Sequence, residues 1–248
     1  MKILLINPNT SEGVTERIRD AASAAASSGT EIIAITASKG VPYIATRAEA
    51  AIGSAITLEM LAEHWSLADA AVIAAFGDPG LGGARELFDI PIVGLAEAAM
   101  LTACMLGRRF AIISFARALG PWYRECVEYH GLSGRLAGIG LLDGSFTTIS
   151  DVQEEKETLL IELAQRTIEE DEADVIVLAG APLAGLAAKV RNRIAVPVVD
   201  GVAASVKQAE LLAALQLRKA SAGTFRRPDS KASTGLSDAL ARRIDHSD

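Results

Sequence analysis

The sequence contains the stretch Val72-Ile73-Ala74-Ala75-Phe76-Gly77-Asp78-Pro79-Gly80-Leu81 and repeats its pattern at Val177-Leu178-Ala179-Gly180-Ala181-Pro182-Leu183-Ala184-Gly185-Leu186. Each copy is an apolar run that breaks into a loop of small residues, which is typical of a buried strand and the turn after it. A second short apolar run follows each copy, at residues 90–94 and 196–200. The repetition predicts two halves related by a pseudo-two-fold axis, with the two loops on opposite sides of one cleft.

Apolar runs and helical stretches alternate along the rest of the chain. The apolar runs predict strands at residues 2–6, 31–36, 70–75, 91–94, 109–114, 138–142, 175–179 and 196–199. The stretches between them predict helices at 12–27, 47–66, 82–88, 96–106, 120–130, 153–170, 183–192 and 202–214. Continuously apolar strands that alternate with helices belong to parallel sheets covered by helices on both faces. The predicted fold class is α/β, with two similar βαβ-rich, Rossmann-like halves and an active-site cleft between them.

The same alternation gives a domain organisation. We predict an N-terminal α/β half at residues 1–106 and a C-terminal α/β half at 107–217. The remaining residues, 218–248, are rich in Ser and Arg and show no apolar periodicity. Such a composition is typical of a mobile or loosely docked tail.

Bulk composition excludes several classes of function. The net charge is −7, which gives no general attraction for nucleic acid or an anionic membrane. The first apolar run is too short for a signal peptide or a membrane span, so a cytoplasmic protein is expected. The two cysteines, Cys104 and Cys126, are too few for a disulfide framework and have no metal-binding spacing. No glycine-rich phosphate motif occurs, and neither a cofactor nor a metal is expected.

The predicted site lies at the carboxyl ends of the strands, where open α/β sheets bind ligands. Four loops converge there, at residues 7–11, 76–79, 114–117 and 180–182. Backbone N–H groups at the helix N-termini that follow could hold an anionic or enolate-like oxygen of a small-molecule substrate. For residues 7–11 the alternative is a helix cap alone. The predicted substrate-binding residues are Asn9, Thr10, Phe76, Ser114, Phe115, Ala181 and Pro182.

Four motifs together resemble the hydantoin and allantoin racemases of the aspartate/glutamate racemase superfamily. They are Ile6-Asn7-Pro8-Asn9-Thr10-Ser11, Phe76-Gly77-Asp78-Pro79-Gly80-Leu81, Gly94-Leu95-Ala96-Glu97-Ala98-Ala99 and Pro197-Val198-Val199-Asp200-Gly201-Val202-Ala203-Ala204. The resemblance covers residues 1–215 and implies two similar halves, a cofactor-free site and a homo-oligomer. It also implies two cysteines on opposite faces of the substrate carbon, one removing the α-proton and the other returning it.

This chain departs from that pattern at both cysteine positions. Ala75 stands where the family has the first cysteine, and Gly180 where it has the second. The second loop reads Ala-Gly-Ala-Pro-Leu instead of Gly-Cys-Ala-Gly-Met, so neighbouring residues differ too, which favours natural divergence over a laboratory change. We therefore predict no racemisation by a thiol pair. Cys104 and Cys126 are interpreted as buried and inert.

Other titratable residues are weaker candidates. Asp78 and Glu97 could act as an acid or a base, although both could instead orient loops, as could Asp200. His64 and His130 are interpreted as surface or capping residues. Two classes of function stay open. One is a cofactor-independent enzyme acting on a small carboxylate, carbonyl or cyclic ureide through an enolate-type intermediate. The alternative is a non-catalytic small-molecule-binding relative, or a lyase, decarboxylase or hydrolase with a non-thiol acid or base.

Overall fold

A computed structural model describes residues 1–143 and 151–248. Its strands are β1 (Lys2–Asn7), β2 (Glu31–Thr36), β3 (Ala70–Ile73), β4 (Ile92–Gly94), β5 (Phe110–Ser114), β6 (Leu136–Leu141), β7 (Val175–Leu178) and β8 (Val198–Asp200). Its helices are α1 (Glu12–Ala25), α2 (Arg47–His64), α3 (Leu81–Leu87), α4 (Leu95–Leu106), α5 (Gly120–Tyr129), α6 (Val152–Asp171), α7 (Leu186–Val190), α8 (Gly201–Ala214) and α9 (Asp238–Asp245).

The strands form two four-stranded sheets with the same order. The N-terminal sheet runs β2-β1-β3-β4, the C-terminal sheet runs β6-β5-β7-β8, and every pairing is parallel. In each sheet the strand order reverses between the two central strands, β1 and β3 in one sheet and β5 and β7 in the other. Parallel sheets bind ligands at the carboxyl ends of such a pair. The predicted α/β class with two similar halves is confirmed.

Local sequence explains where the helices begin. The Ser11 hydroxyl accepts a hydrogen bond from the Val14 N–H at the start of α1. Thr46 and Glu49 form a reciprocal capping box at the start of α2. The Asp200 carboxylate accepts from the Val202 and Ala203 N–H groups of α8. In each case a side-chain oxygen satisfies backbone donors that have no partner within the helix.

Two helices cross between the halves. Helix α4 follows β4 in the chain but packs on β7 and β8 of the C-terminal sheet as well. Helix α8 follows β8 but contacts β1, β3 and β4 of the N-terminal sheet, and it also lies against α1 and α4. One hydrophobic cluster therefore contains residues of both sheets, and a smaller cluster covers the other face of the N-terminal sheet.

Two elements differ from the sequence prediction. The predicted helix at residues 183–192 is a 3-10 turn at Ala181–Leu183 followed by the short α7, because Gly185 takes a left-handed conformation with φ of +80° between them. Helix α9 was not predicted. It packs against α2 and buries Leu240 and Arg243, so this part of the segment expected to be mobile or loosely docked forms a packed helix. Leu240 is the only buried apolar residue of α9, so the sequence of this helix shows little apolar periodicity.

Within the residues that the structure describes, no helix is both long enough and apolar enough to cross a membrane.

Candidate functional site

The loops that follow β3 and β7 meet at a small cavity between the two sheets. Its volume is about 20 Å³, close to the space for a single water molecule. Ala75 and Gly180 both line it, which confirms the prediction that the two positions face one cleft. The lining residues are Asn9, Tyr43, Ile44, Ala75, Phe76, Trp122, Tyr123, Gly180, Ala181 and Pro182.

Four of the residues that line this cleft are aromatic and pack against one another or against Phe115. The rings of Phe76 and Tyr123 lie 4.7 Å apart between centroids, and those of Trp122 and Tyr123 lie 5.7 Å apart. Behind them, the rings of Tyr43 and Phe115 are 5.8 Å apart. Pairs at such distances and tilted angles are favourable contacts. The cleft is therefore a packed aromatic cluster with a small gap.

The backbone at Gly180 excludes a side chain. Its φ is +112°, a conformation that L-residues rarely adopt. A Cβ there would lie 2.7 Å from Cε1 of Phe115 and 3.5 Å from the hydroxyl oxygen of Tyr123. The space that a side chain at position 180 would need is thus held by Phe115, with the Tyr123 hydroxyl at its edge.

Four of the predicted substrate-binding residues line the cavity and three do not. Asn9, Phe76, Ala181 and Pro182 line the cavity. Ser114 and Phe115 are completely buried behind it, and the Ser114 hydroxyl donates to the Ala179 carbonyl over 2.7 Å. Thr10 is not among the lining residues, and its N–H donates to the Val41 carbonyl. The amide oxygen of Asn9 accepts from Asn7 and from the Ser11 N–H, so this loop also stabilises the start of α1.

Tyr43, Trp122 and Tyr123 line the cavity and were missed by the sequence analysis. Burial raises the pKa of Tyr123 well above 10, and a hydrogen bond with Ser114 offsets this only in part. Burial also raises the pKa of Tyr43, with a contribution from the charge of Glu49. Both phenols are therefore neutral at pH 7 and can donate hydrogen bonds. The one available signal was the Trp122-Tyr123 pair just after the loop that follows β5.

Asp78 lies in the loop after β3, but its carboxylate faces away from this cavity. Its two oxygens accept from the N–H groups of Ala96 and Glu97, each over 2.8 Å, at the start of α4. One oxygen is also 3.2 Å from Nε2 of His130. The position of Asp78 is so tight that a Cβ at Gly94 would be 2.4 Å from its carboxyl carbon. Asp78 therefore joins the loop after β3 to α4 and α5.

His130 lies between two carboxylates and is not a surface residue, since its side chain is 7% exposed. Its Nδ1 is 3.5 Å from Glu97, which also forms a bidentate ion pair with Arg85. Burial opposes the charge of His130, but hydrogen bonds to Asp78 and Glu97 raise its pKa to about 9. Burial likewise opposes the charge of Glu97, whose pKa the hydrogen bonds from His130 and Arg85 lower to about 2. The surface role expected for His130 is wrong, because Asp78 and Glu97 are far from it in sequence and only the fold brings them together. The capping role is present, since the backbone N–H of His130 donates to the Cys126 carbonyl at the end of α5.

Asp200 plays the loop-orienting role considered for it. Besides capping α8, its carboxylate accepts from the Gly185 N–H over 2.6 Å, across the loop that follows β7. Burial raises the pKa of Asp200 in spite of these three backbone hydrogen bonds. Cys126 is buried, as expected, whereas Cys104 is only partly buried.

A metal was not expected, yet one group of side chains in the described part of the chain could hold one. Ligand atoms of Asp78, Cys126 and His130 all lie within 4.8 Å of one another. Cys126 is on α5 and His130, four positions later, caps the C-terminal end of this helix, a spacing that puts both on one helix face. The third member, Asp78, could be found only from the tertiary structure.

These features define a class: an α/β protein of two repeated parallel sheets, with a cleft at the carboxyl ends of the central strands. The family described as Asp/Glu/Hydantoin racemase matches residues 3–209. This chain belongs to that family, and the resemblance inferred from the sequence motifs is confirmed.

Individual relatives agree with the assignment. The chain is 35% identical over 233 residues to hydantoin racemase of Paenarthrobacter aurescens, covering 93% of this chain and 99% of that protein. The solved structure of an allantoin racemase from Klebsiella pneumoniae superposes with a TM-score of 0.91 at 36% identity, covering 97% of this chain and 98% of that one. Arylmalonate decarboxylase shares the fold, with a TM-score of 0.59 at 16% identity over 99% of this chain and 100% of that chain.

Proposed function

We propose that this protein is a member of the racemase family that acts on a small carboxylate, carbonyl or cyclic ureide through an enolate, with Tyr123 as its acid in place of the thiol pair. One observation carries the proposal. The Tyr123 hydroxyl oxygen lies 3.5 Å from where a Cβ at Gly180 would stand, so a proton donor is present on the face where the family has its second cysteine.

The chemistry follows from which groups are present on each face. Tyr123 is neutral at pH 7, so its O–H holds a proton that an enolate carbon can take, although burial makes this phenol a weaker acid than an exposed tyrosine. Because Tyr123 is buried, the phenolate regains its proton from water that enters the cleft when the product leaves. Ala75, on the opposite face, offers only a methyl group. Stereoinversion needs an acid and a base on opposite faces of one carbon. The arrangement therefore supports protonation on a single face, as after loss of CO₂ from a substituted malonate.

The substrate must be small or must displace the aromatic residues. A gap of about 20 Å³ has room for about one water molecule, which is less than any of the proposed substrates needs. A reaction without a cofactor is proposed from the family resemblance alone. Phe76 and Pro182 supply apolar walls, so a substrate with an apolar group fits this cleft best. Asn9 and Tyr43 are polar residues of the same lining.

The test is turnover in D₂O with substituted malonates, hydantoins and allantoin, followed by mass spectrometry and polarimetry. We expect deuterium to enter one enantiomer of a decarboxylated product, without loss of optical rotation from a resolved hydantoin. Tyr123→Phe should lower turnover by about 10²-fold or more. Tyr129→Phe is the matched control, because that side chain is 67% exposed. Rapid racemisation by the unmodified protein, or full activity in Tyr123→Phe, would contradict the proposal.

A second candidate is a relative that binds a small molecule without turning it over. The tight aromatic packing of the cleft and the methyl group that Ala75 presents to it favour this candidate. Binding without turnover in the same screen, detected by a rise in melting temperature that Tyr123→Phe leaves intact, would support this candidate over the enzyme.

We also propose a homo-oligomer, as the family resemblance implies. Leu101, Met105 and Leu106 expose apolar surface on the last turns of α4, which supports a contact between copies there. Light scattering on the purified protein should give a mass that is a multiple of the 25.9 kDa chain, and Met105→Glu should reduce it. A monomer at micromolar concentration would contradict this expectation.

A further inference from the structure

A larger pocket is lined by residues 77–80, in the loop that follows β3. Its volume is about 440 Å³, and Trp122 lines both this pocket and the cleft. Asp78, Cys126 and His130 contribute to its wall. These three are the residues whose ligand atoms lie within 4.8 Å of one another. Three different metal-binding groups thus converge at a pocket large enough to admit an ion and its water.

The distances suit a tetrahedral centre. Nε2 of His130 and the nearer Asp78 oxygen are 3.2 Å apart. Nitrogen and oxygen ligands about 2.0–2.1 Å from a tetrahedral zinc ion are about 3.3 Å from each other. Two of the three ligands therefore already stand at the separation that a bound ion requires, and the Cys126 sulfur lies within 4.8 Å of both.

We propose that Asp78, Cys126 and His130 form a binding site for a divalent transition metal of the zinc and cobalt type, with a fourth position open to the pocket. On binding, the metal replaces the proton on His130 Nε2 and the proton of the Cys126 thiol, and both protons pass to solvent. A thiolate with an imidazole selects zinc or cobalt over magnesium or calcium, which prefer oxygen ligands alone. The open position would carry water or a ligand carbonyl.

Residues around the three ligands hold them in place. His130 Nδ1 faces Glu97 at 3.5 Å, so a carboxylate lies on the side of the imidazole away from the metal position. Arg85 fixes Glu97 by the bidentate ion pair. The Asp78 carboxylate is fixed by two N–H groups of α4. A carboxylate behind a metal-binding histidine is the usual support for zinc, and its loss typically weakens binding 10- to 100-fold.

The site is independent of the proposed enolate chemistry, which uses Tyr123 in the other cavity. The test is titration of tag-free protein with CoCl₂, read by absorption. We expect one cobalt per chain, with a thiolate-to-cobalt charge-transfer band in the near ultraviolet that ZnCl₂ abolishes by displacement. Cys126→Ser should remove the charge-transfer band, and His130→Gln should weaken cobalt binding at least tenfold. Cys104→Ser is the matched control and should keep both the charge-transfer band and the affinity for cobalt, because Cys104 lies outside the pocket.

The outcomes separate clearly, provided that circular dichroism shows each variant folded. A charge-transfer band that is absent, or that survives Cys126→Ser and disappears in Cys104→Ser, overturns the proposal. Cobalt bound without any thiolate band also overturns it, since that would be an all-oxygen or imidazole site elsewhere. Loss of the band in Cys126→Ser but not in Cys104→Ser, together with weaker cobalt binding in His130→Gln, establishes the site, whatever the activity of the protein toward malonates. Unchanged cobalt binding in His130→Gln overturns it.

Discussion

Gly180 shows how one residue determines the chemistry of the cleft. Its positive φ and its closeness to Phe115 are two separate reasons why this position holds glycine. A cysteine placed there would need both a strained backbone and a displaced aromatic ring. The packing and the backbone at Gly180 therefore disfavour any side chain at this position, a thiol included.

A first prediction tests this packing. Gly180→Ala should lower the free energy of unfolding by about 3 kcal/mol, since a strained backbone costs roughly 1–3 kcal/mol and the added methyl meets the Phe115 ring. Gly134→Ala is the matched control, because a Cβ at Gly134 meets nothing within 4 Å. Urea denaturation measures both.

A double-mutant cycle with Phe115→Ala extends the same test. If the ring is the obstacle, the double variant should be less destabilised than the sum of the single variants by about 1 kcal/mol or more. Strict additivity would mean that the backbone conformation alone excludes a side chain at position 180.

At the scale of elements, Glu210 links helix α8 to the loop before β2. Its carboxylate accepts from the Ser27 N–H and the Thr30 hydroxyl, both at 2.7 Å, and pairs with Lys207. Burial raises the pKa of Glu210, but these partners lower it overall from 4.5 to about 2. Since the folded-state pKa is lowered, the stabilisation is present above pH 4.5 and is lost as the pH falls toward 2.

The second prediction follows from the lowered pKa of Glu210. Glu210→Gln should cost roughly 1–3 kcal/mol of stability at pH 7 and distinctly less at about pH 3. The exposed Glu169→Gln on α6 is the control and should change little at either pH. Urea midpoints at the two pH values give the result. A penalty for Glu210→Gln that does not depend on pH would mean that its charge does not stabilise the contact.

Helix α9 depends on one cation. The Arg243 side chain is 4% exposed, its guanidinium carbon is 4.6 Å from the centre of the Trp65 ring, and its Nε donates to the Leu87 carbonyl. It also pairs with Asp89 and Asp248. An eight-residue helix is too short to be stable by itself, so its docking rests on these contacts.

The third prediction is that Arg243→Ala releases α9. Hydrogen exchange of its amides should become at least about tenfold faster, while the amides of β1 and β3 keep their protection. Arg242→Ala, next to it on the exposed side of the helix, is the control. Unchanged protection of α9 in Arg243→Ala would show that Leu240 and its neighbours hold the helix alone.

At the scale of the whole molecule, α4 and α8 each pack on the sheet of the other half and so hold the two sheets together. Helix α8 covers strands of the N-terminal sheet, α4 packs on the C-terminal sheet, and one hydrophobic cluster joins them. The predicted division into halves at residues 1–106 and 107–217 stays a prediction about sequence repetition. The shared core argues that neither half folds without the other.

The fourth prediction is a single cooperative unfolding transition. The chain has two tryptophans, Trp65 near the N-terminal sheet and Trp122 in α5 beside the C-terminal sheet. Trp65→Phe and Trp122→Phe each leave one reporter, and their urea curves should coincide with the curve from circular dichroism of the same variant. Separate transitions in the two variants would show that the sheets unfold independently.

The sequence by itself determined the α/β class, the repeated halves and the pairing of Ala75 with Gly180, because apolar periodicity and loop composition are local properties. It also excluded the thiol pair, since residue identity alone decides that. Only the tertiary structure decided that aromatic rings close the cleft, that Tyr123 stands beside Gly180 and that His130 lies between Asp78 and Glu97. These side chains come from distant parts of the chain, and contacts across 30 or more residues leave no period in a sequence. Helix α9 was not predicted from the sequence for a related reason, because a buried arginine adds nothing to the apolar periodicity of a helix.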